Sequence, residues 1–342
     1  MGAPNPLDST RPLDQSGGSS NRFPLVESKR VLITGGAGFI GSHLTEILSE
    51  RNEVTIYDTF GRDSFRFLSR DIQNRVHVVK GDILDKESLG KALLDKDIVF
   101  HLAGIAGIAT VSKSPIRTME VNLKGTQNLA EALARNSTVE RVLFSSTSEV
   151  YGKYAFLGKE DGPATVGSVG EPRWIYSVSK IASEHLLQSY HLELGLPTTI
   201  VRLFNVYGPR QVGEGAIHNF VAAAVNEEPL KVYGDGLEVR AWCYVEDAVS
   251  GMLLAVTKGA AVGRVFNIGN PRTAVTISGL ADTVKRITNS SSQIIHVSKD
   301  FADVEVRVPD ITLARATLGF EPTVDLERGI ALTAEWYRLH RC

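Results

Sequence analysis

The stretch VLITGGAGFIGSHL, residues 31–44, constrains the fold of this 342-residue chain more than any other. An apolar, β-branched run leads directly into Gly36-x-Gly38-x-x-Gly41, and a helical pattern follows. Closely spaced glycines permit a tight turn and a close backbone approach, so that a pyrophosphate can lie against the N-terminus of the helix. The stretch therefore predicts the first strand–turn–helix unit of a dinucleotide-binding domain.

Further along the chain, short β-branched runs alternate with helical patterns. The predicted strands are Arg30–Thr34, Glu53–Asp58, Val76–Lys80, Ile98–Leu102, Arg141–Ser145 and Thr198–Phe204. The predicted helices are near Ile40–Glu50, Glu87–Leu94, Ile116–Ala134 and Ser177–Leu194. This alternation predicts an α/β fold, a doubly wound parallel Rossmann sheet with a smaller C-terminal substrate-binding lobe.

The chain divides into three regions. Residues 1–28 are rich in Pro, Gly, Ser and Asn and are predicted to be a disordered tail. Residues 29–204 form the predicted dinucleotide-binding domain, in which the long Gly-rich segment 153–173 is an active-site loop that covers the substrate. Residues 205–342 mainly form the substrate lobe, and some of their segments return to the first domain.

The composition argues against several classes of partner. A net charge of −2 with scattered basic residues predicts binding neither to nucleic acid nor to an anionic membrane surface. The sequence contains no apolar run approaching the ~20 residues of a membrane span. Cys243 and Cys342 form neither a metal-binding spacing nor a disulfide framework, so we expect no metal site and a cytoplasmic location.

Asp58 predicts which dinucleotide binds. It ends the second predicted strand, twenty residues after Gly38. An acid in this position accepts hydrogen bonds from the ribose hydroxyls and repels the 2′-phosphate of NADP, so NAD is favoured. Arg62 and Arg66 follow closely and would weaken that preference. Asp82 ends the third predicted strand, near the expected position of the adenine amino group.

Tyr176-Ser-Val-Ser-Lys180 is a candidate catalytic pair, because residues four apart share one face of a helix. A free tyrosine titrates near ~10. A neighbouring lysine and a nicotinamide cation would lower that pKa, so that Tyr176 takes a hydroxyl proton while hydride passes to NAD. Thr147, which follows Ser145-Ser146 at a strand end, would hydrogen bond with the same hydroxyl.

From about Arg30 to the C-terminus the sequence resembles the extended short-chain dehydrogenase/reductase superfamily, in the nucleotide-sugar branch known as the NAD-dependent epimerase/dehydratase family. The segments that carry the resemblance are TGGAGFIG, HLAG (101–104), NLKGT (122–126), YSVSK, RLFNVYGPR (202–210), VYGDGLEVRAWCYVED (232–247) and VPDITLARATLGFEP (308–322). The resemblance implies oxidation of carbon 4 of an NDP-hexose by tightly held NAD, and usually return of the hydride. It also implies a homodimer formed through the helices at 116–134 and 177–194.

Three reactions in this family compete, and the residues after Thr147 distinguish them. A 4,6-dehydratase of the family carries an Asp-Glu pair there, whereas this chain has Ser148-Glu149 and lacks the acid. The 4-epimerases typically carry small or hydroxyl residues where Glu149 stands. TSEVYG and PRWIYSVSK both resemble the UDP-glucuronate decarboxylases, in which the 4-ketone creates a β-keto acid that loses carbon dioxide.

We therefore expect decarboxylation of a UDP- or TDP-linked glucuronate to NDP-xylose, its 4-keto form or both, through an enolate that is reprotonated at carbon 5. By the resemblance, Ser148 and Glu149 lie beside the substrate carboxylate, and Arg240 faces the sugar or diphosphate and assists protonation. The alternatives are a 4-epimerase, a 4,6-dehydratase and an NAD-sensing regulator. Regulators on this fold usually lose the tyrosine or lysine of the pair, and both are present here.

The site residues implied by the resemblance form three sets. The catalytic set is Tyr176, Lys180, Thr147, Ser148, Glu149 and Arg240. The cofactor set is Gly35, Gly38, Phe39, Ile40, Asp58, Asp82, Ile83, Leu102, Ala103, Gly104 and Asn122, together with Tyr176 and Lys180. The substrate set is Glu149, Asn205, Arg210, Lys231, Tyr233, Arg240 and Arg307.

Overall fold

The computed structural model describes residues 23–135, 139–152, 155–299 and 304–340. The predicted disordered tail therefore lies outside the described residues as far as residue 22, and so do positions 153 and 154 of the predicted active-site loop. Phe23 and Val26 pack against the core. The predicted end of the tail at residue 28 is therefore too late, because these two apolar side chains are held by the folded domain.

The described residues form strands and helices in the following order. The strands are β1 (Arg30–Thr34), β2 (Glu53–Asp58), β3 (His77–Lys80), β4 (Ile98–His101), β5 (Arg141–Thr147), β6 (Phe156–Gly158), β7 (Thr198–Leu203), β8 (Val206–Tyr207), β9 (Leu230–Tyr233), β10 (Val239–Arg240), β11 (Cys243–Tyr244), β12 (Val265–Ile268), β13 (Val275–Thr276), β14 (Ile294–Val297) and β15 (Val306–Pro309). The helices are α1 (Phe39–Leu48), α2 (Arg70–Arg75), α3 (Lys86–Leu93), α4 (Ile108–Lys113), α5 (Pro115–Met119), α6 (Gly125–Arg135), α7 (Ile175–Leu194), α8 (Ala216–Val225), α9 (Val245–Thr257), α10 (Ile277–Thr288), α11 (Thr312–Leu318) and α12 (Leu326–His340).

The central sheet has seven strands in the described part of the chain, in the order β12-β7-β5-β4-β1-β2-β3. Every pairing in it is parallel, which confirms the predicted Rossmann architecture. Alternate residues of β1 point to opposite faces: Val31 and Ile33 join the core with α1 and α9, and Leu32 joins the core with α3 and α6. Burial on both faces explains why the strands are nearly continuous apolar runs.

The strand order reverses between β1 and β4, because the chain runs outward from β1 to β3 on one side and from β4 to β12 on the other. Loops that leave the carboxyl ends of two such strands diverge and open a crevice, the usual ligand site of an open α/β sheet. The glycine turn after β1, the loop after β4 and the end of β5 all lie at this edge.

The smaller lobe contains a four-stranded sheet in the order β13-β10-β15-β6 and the pair β14-β9. Strand β6 comes from the segment 153–173, which the sequence predicted as a loop throughout, and it pairs in parallel with β15. The segment is thus bound to the lobe by backbone hydrogen bonds, with Val308 N donating to Ala155 O at 3.0 Å.

The predicted helix Ile116–Ala134 is interrupted. Helix α5 passes into a π-helical turn over Glu120–Lys124, and α6 continues from there. A π turn inside a helix shifts the side chains that follow and often marks a functional position. None of the helices in the described ranges is long and apolar enough to cross a bilayer.

Candidate active site

The glycine turn forms a cradle at the mouth of α1. Gly35 has φ +75°, and a Cβ there would lie 2.7 Å from Ala103 N. A Cβ at Gly41 would overlap the Gly35 carbonyl oxygen. Side chains would therefore fill the space in which the turn, the helix N-terminus and the loop after β4 approach one another.

This cradle opens into a cleft of about 480 Å³. The structure brings ten predicted cofactor residues together in its lining: Gly35, Gly38, Phe39, Ile40, Asp58, Asp82, Ile83, Leu102, Ala103 and Gly104. The cleft has the glycine cradle, the helix N-terminus and the acidic strand end that a dinucleotide needs, so the residues present fit NAD.

Asp58 is held rigidly at the end of β2. Its carboxylate accepts hydrogen bonds from Ala37 N at 3.0 Å and Phe60 N at 2.8 Å. Burial raises the pKa of Asp58 despite these two donors. Of the two arginines expected to weaken the preference for NAD, Arg66 lies over the Phe67 ring, 4.6 Å from its centre, and Arg62 lines the cleft.

Asp82 is paired by a residue that the sequence analysis missed. Arg117, from α5, donates to Asp82 and also lines the cleft. The second Asp82 oxygen accepts from Leu84 N at 3.0 Å. The pair spans 35 positions of the chain, so no local spacing indicated it.

Asn122 lies in the π turn and fastens the loop after β4. Its side chain accepts from Ile105 N at 2.7 Å and donates to Ile105 O and to the Ser179 hydroxyl, both at 3.0 Å. It thereby connects the cleft loop to α7, and a Cβ at Gly104 would lie 3.0 Å from its side-chain oxygen. This placement suits a residue that positions the cofactor loop.

Tyr176 lies at the start of α7, where its hydroxyl hydrogen bonds with Thr147. Burial of the hydroxyl, followed by the negative charge of Glu149, raises the pKa of Tyr176 well above its ordinary value. The expected lowering of the pKa is therefore absent from the protein alone, because burial disfavours the phenolate and the charge of Glu149 outweighs that of Arg307.

Lys180 is buried one turn further along α7. Its Nζ donates to Ser145 O at 2.7 Å and lies 4.5 Å from the centre of the Phe144 ring. Burial lowers the pKa of Lys180 to about 8, and the charge of Glu184 partly opposes the shift. The ammonium is thus held at the end of β5, against Ser145, which lines the cleft.

Glu149 lies between two arginines. Its carboxylate is 2.7 Å from Arg173 Nη1 and 2.5 Å from Arg307 Nη1, and all three side chains are less than 15% exposed. Burial opposes the charged form, but Arg307 and Arg173 together hold the pKa of Glu149 below its ordinary value. The carboxylate is therefore ionised at neutral pH.

Arg240 and Arg307 are direct neighbours on the paired strands β10 and β15. Arg240 is buried, and its Nη1 donates to the carbonyl oxygens of Val239 and Glu305. Arg173 and Arg307 thus place two guanidinium groups against the single carboxylate of Glu149. Arg173 was not among the residues predicted from the sequence, although its position three residues before Tyr176, about one helical turn, was a usable signal.

The other predicted substrate residues are more dispersed. Asn205 donates to Ala241 O at 2.7 Å, beside Arg240. Arg210 instead binds α1, with Nη2 at 2.6 Å from both His43 Nδ1 and Glu46 Oε2. Lys231 and Tyr233 point outward from β9, and Ser148 is buried next to Thr147. Their roles toward a substrate stay predictions, and the contacts of Arg210 favour a packing role.

Comparisons with known proteins agree with this geometry. The model of the NAD dependent epimerase/dehydratase family matches residues 31–269. A UDP-N-acetyl-alpha-D-glucosaminuronate decarboxylase of Bacillus cytotoxicus is 38% identical over 91% of this chain and 98% of its own length. UDP-glucuronic acid decarboxylase 5 of Arabidopsis thaliana is 36% identical over 98% of this chain and 96% of its own length.

A solved structure supports the same assignment. The UDP-glucuronic acid 4-epimerase of Bacillus cereus, in complex with UDP-glucuronic acid and NAD, is 30% identical with a TM-score of 0.82, covering 91% of this chain and 99% of its own. With the glycine cradle, the Asp58 strand end and the Tyr176–Lys180 helix in place, the chain belongs to the NAD-dependent epimerase/dehydratase family and takes NAD as its cofactor.

Proposed function

We propose that this enzyme decarboxylates a UDP-linked hexuronate through a 4-keto intermediate. The observation that carries the proposal is the buried group of Glu149, Arg173 and Arg307 beside the Tyr176 hydroxyl. A site for a neutral hexose has no use for buried arginines next to the reacting carbons, whereas a hexuronate places a carboxylate there.

Arg307 has capacity left for an anion. Its Nη1 binds Glu149, but Nε and Nη2 are buried and have no hydrogen-bond partner among the described residues. Buried donors without partners are costly, so such groups commonly wait for a ligand. A guanidinium edge matches the two oxygens of a carboxylate, which supports Arg307 as a substrate contact.

The first step is oxidation at carbon 4. NAD, when bound, would supply the hydride acceptor for carbon 4 and a positive charge that lowers the pKa of the Tyr176 phenol. Tyr176 removes the proton of the 4-hydroxyl, and Thr147 orients that hydroxyl. The pKa of Tyr176 is raised in the protein alone, so Tyr176 would act as the base only in the complex, after its own proton has passed to solvent.

The second step breaks the bond between carbon 5 and the carboxylate. Carbon dioxide leaves, and its bonding electrons pass into the enolate of carbons 4 and 5, which a proton at carbon 5 then restores to the ketone. The negative charge of Glu149 disfavours a second carboxylate nearby and so promotes its loss, while Arg307 and Arg173 keep the site positive enough to bind it. Return of the hydride would give the pentose.

Both curated relatives described above are named as decarboxylases, and they differ at carbon 2 of the sugar: one acts on a glucuronic acid, the other on an N-acetylglucosaminuronate. The structural relative is a 4-epimerase of UDP-glucuronic acid, so a uronate substrate agrees with all three. The Glu149 position, where epimerases typically carry small or hydroxyl residues, favours decarboxylation.

The test is a proton NMR time course with UDP-glucuronate, UDP-N-acetylglucosaminuronate and TDP-glucuronate, each with and without added NAD. We expect the carbon-5 methine signal to disappear and a methylene signal to replace it. Tyr176→Phe should lose at least about 10²-fold in turnover while retaining NAD, because the hydroxyl proton has no acceptor.

Other outcomes would separate the alternatives. A galacturonate spectrum with an intact carboxylate would make the enzyme a 4-epimerase, and no change in any nucleotide sugar would favour an NAD-sensing regulator. The ratio of ketone to pentose signals would show whether hydride returns. The cytoplasmic location and the TDP-linked substrate stay predictions.

A further inference from the structure

A carboxylate that the proposed chemistry does not use crosses the mouth of the cofactor cleft. Glu214 belongs to the loop before α8, yet it accepts hydrogen bonds from Ala109 N at 2.9 Å, Thr110 N at 3.0 Å and the Thr110 hydroxyl at 2.5 Å. These donors lie at the start of α4, 104 or 105 positions away. Glu214 and Thr110 both line the cleft, so their contact joins two segments of its wall.

Arg62 contacts both Thr110 and Glu214. Its Nη2 donates to the Thr110 hydroxyl at 2.9 Å and lies 3.7 Å from Glu214 Oε1. Arg62 follows Asp58 by four residues and lines the cleft beside Thr59 and Gly61. Arg62, a cation close to Asp58 that could meet a phosphate on the adenosine ribose, thus lies against Thr110 and Glu214.

Two glycines make this approach possible. A Cβ at Gly107 would lie 2.7 Å from the Glu214 carboxyl carbon, and a Cβ at Gly213 would lie 3.1 Å from the Arg62 guanidinium carbon. Both glycines have φ +101°, a conformation that other residues rarely adopt. The loop base is fixed as well, because the Tyr337 hydroxyl of α12 donates to Gln211 O at 2.9 Å.

The charges of the cleft lining follow a simple pairing. Among the described residues, the charged lining groups are the carboxylates of Asp58, Asp82 and Glu214 and the guanidinium groups of Arg62 and Arg117. Arg117 pairs with Asp82, and Arg62 pairs with Glu214. Asp58 is left as the uncompensated charge, at the position where an acid meets the ribose hydroxyls.

We propose that Glu214 is a cofactor-positioning residue, which closes the mouth of the cleft over bound NAD and, by neutralising Arg62, makes the cleft reject NADP. Without Glu214, Arg62 is released toward the 2′-position of the adenosine ribose, where a guanidinium binds a phosphate well. The inference concerns the cofactor alone and holds whichever sugar the enzyme converts.

The test measures nucleotide exchange without sugar substrate. Purified enzyme is mixed with isotopically labelled NAD and NADP at equal concentration, and the bound nucleotides are followed by mass spectrometry. We expect Glu214→Gln to speed the release of NAD about tenfold and to raise the share of NADP about tenfold, as the loss of charged hydrogen bonds implies. In the double variant Glu214→Gln/Arg62→Ala, fast release should persist while the NADP share returns to the wild-type value.

The matched control is Glu327→Gln, which removes an exposed ion pair with Arg286 far from the cleft lining. It should leave both measurements unchanged. Gly107→Ala retains the Glu214 charge, but its Cβ would occupy the space of the Glu214 carboxylate, so this variant should also release NAD quickly. It replaces Glu214→Gln as the test if that variant folds poorly. The proposal would be wrong if Glu214→Gln and Gly107→Ala both released NAD and bound NADP as the wild type does. It would also be wrong if the larger NADP share of Glu214→Gln persisted in Glu214→Gln/Arg62→Ala.

Discussion

Glu149 affects its neighbours in two ways. Its carboxylate balances the positive charges of Arg173 and Arg307, and it contributes to raising the pKa of Tyr176. We predict that Glu149→Gln lowers decarboxylation at least about 10²-fold. It should also lower the free energy of unfolding by about 3 kcal/mol, because two buried arginines lose their counter-charge. NMR turnover assays and urea unfolding test the two effects separately.

A matched control for this variant is Glu160→Gln, in the same segment as Arg173. The Glu160 carboxylate accepts a hydrogen bond from Asn267 N at 2.8 Å, and an amide oxygen can accept it equally. The control should keep turnover near wild type. Equal turnover in Glu149→Gln and Glu160→Gln would contradict the role given to Glu149.

Lys180 gives a prediction about pH. Burial lowers its pKa from 10.5 to about 8. Between these values the unfolded chain holds a proton that the folded chain has released, so raising the pH favours the folded state. The stability of wild type relative to Lys180→Met should therefore increase from about pH 8 to about pH 10.5, measured as urea midpoints. A difference independent of pH would contradict the lowered pKa.

At the residue scale, the sequence predicted those contacts that form between residues close together in the chain. Tyr176 and Lys180 are four residues apart on one helix, so their spacing alone placed them together. The partners of Glu149 lie elsewhere: Arg307 is 158 positions away, on a strand of the other lobe. No sequence period indicates such a contact, so Arg307 was predicted only as a substrate residue, and the structure places it against Glu149.

Among the elements, α7 contributes more than the catalytic pair. Glu184, one turn beyond Lys180, forms a buried ion pair with Arg202 of β7 at 2.7 Å. Arg202 also donates to the Tyr151 hydroxyl at 2.9 Å, and Tyr151 donates to Asn267 at 2.7 Å. This network holds α7 against the ends of the strands that carry the site.

We predict that Arg202→Met lowers the free energy of unfolding by about 3 kcal/mol or more, since it leaves Glu184 buried without its cation. The double variant Arg202→Met/Glu184→Met should be more stable than Arg202→Met, because no charge then remains uncompensated. Urea unfolding of the three proteins measures both values. A double variant that is less stable than Arg202→Met would show that packing, not charge, dominates at this position.

The elements with regular periodicity were predicted closely: β1 and β2 have their predicted limits, and the helices differ by one or two residues at most ends. The π turn and β6 were not predicted. The π turn over Glu120–Lys124 is a single turn, too short to give a pattern of its own, and the pairing of β6 depends on β15, about 150 residues away. Both depend on tertiary contacts, which a local pattern does not contain.

At the scale of the whole molecule, exposed apolar side chains on two packed helices bear on whether two copies of the chain associate. Ile116 and Val178, on the packed helices α5 and α7, are 76% and 38% exposed. Isolated apolar residues on a surface are ordinary, but exposed ones on adjacent helices suit an interface. Since the resemblance implies a homodimer through these helices, we propose this face as the interface.

We predict that Ile116→Glu/Val178→Glu gives a monomer in sedimentation velocity experiments, because two charges per subunit would be buried at the interface. Leu339→Glu is the matched control: Leu339 is equally exposed, at 74%, but lies on α12. It should leave the dimer intact. A wild-type monomer, or a dimer that survives both substitutions, would contradict this interface.

The pairing of β6 with β15 has a consequence for the timing of the reaction. The segment that leads to Arg173 is hydrogen bonded to the strand that carries Arg307, which in turn is paired with the strand of Arg240. Any movement of the segment away from the lobe would therefore also change the surroundings of Glu149. A ketone that escapes before the hydride returns would therefore leave the cofactor reduced, and the enzyme would have to exchange that cofactor for NAD before it could oxidise the next substrate.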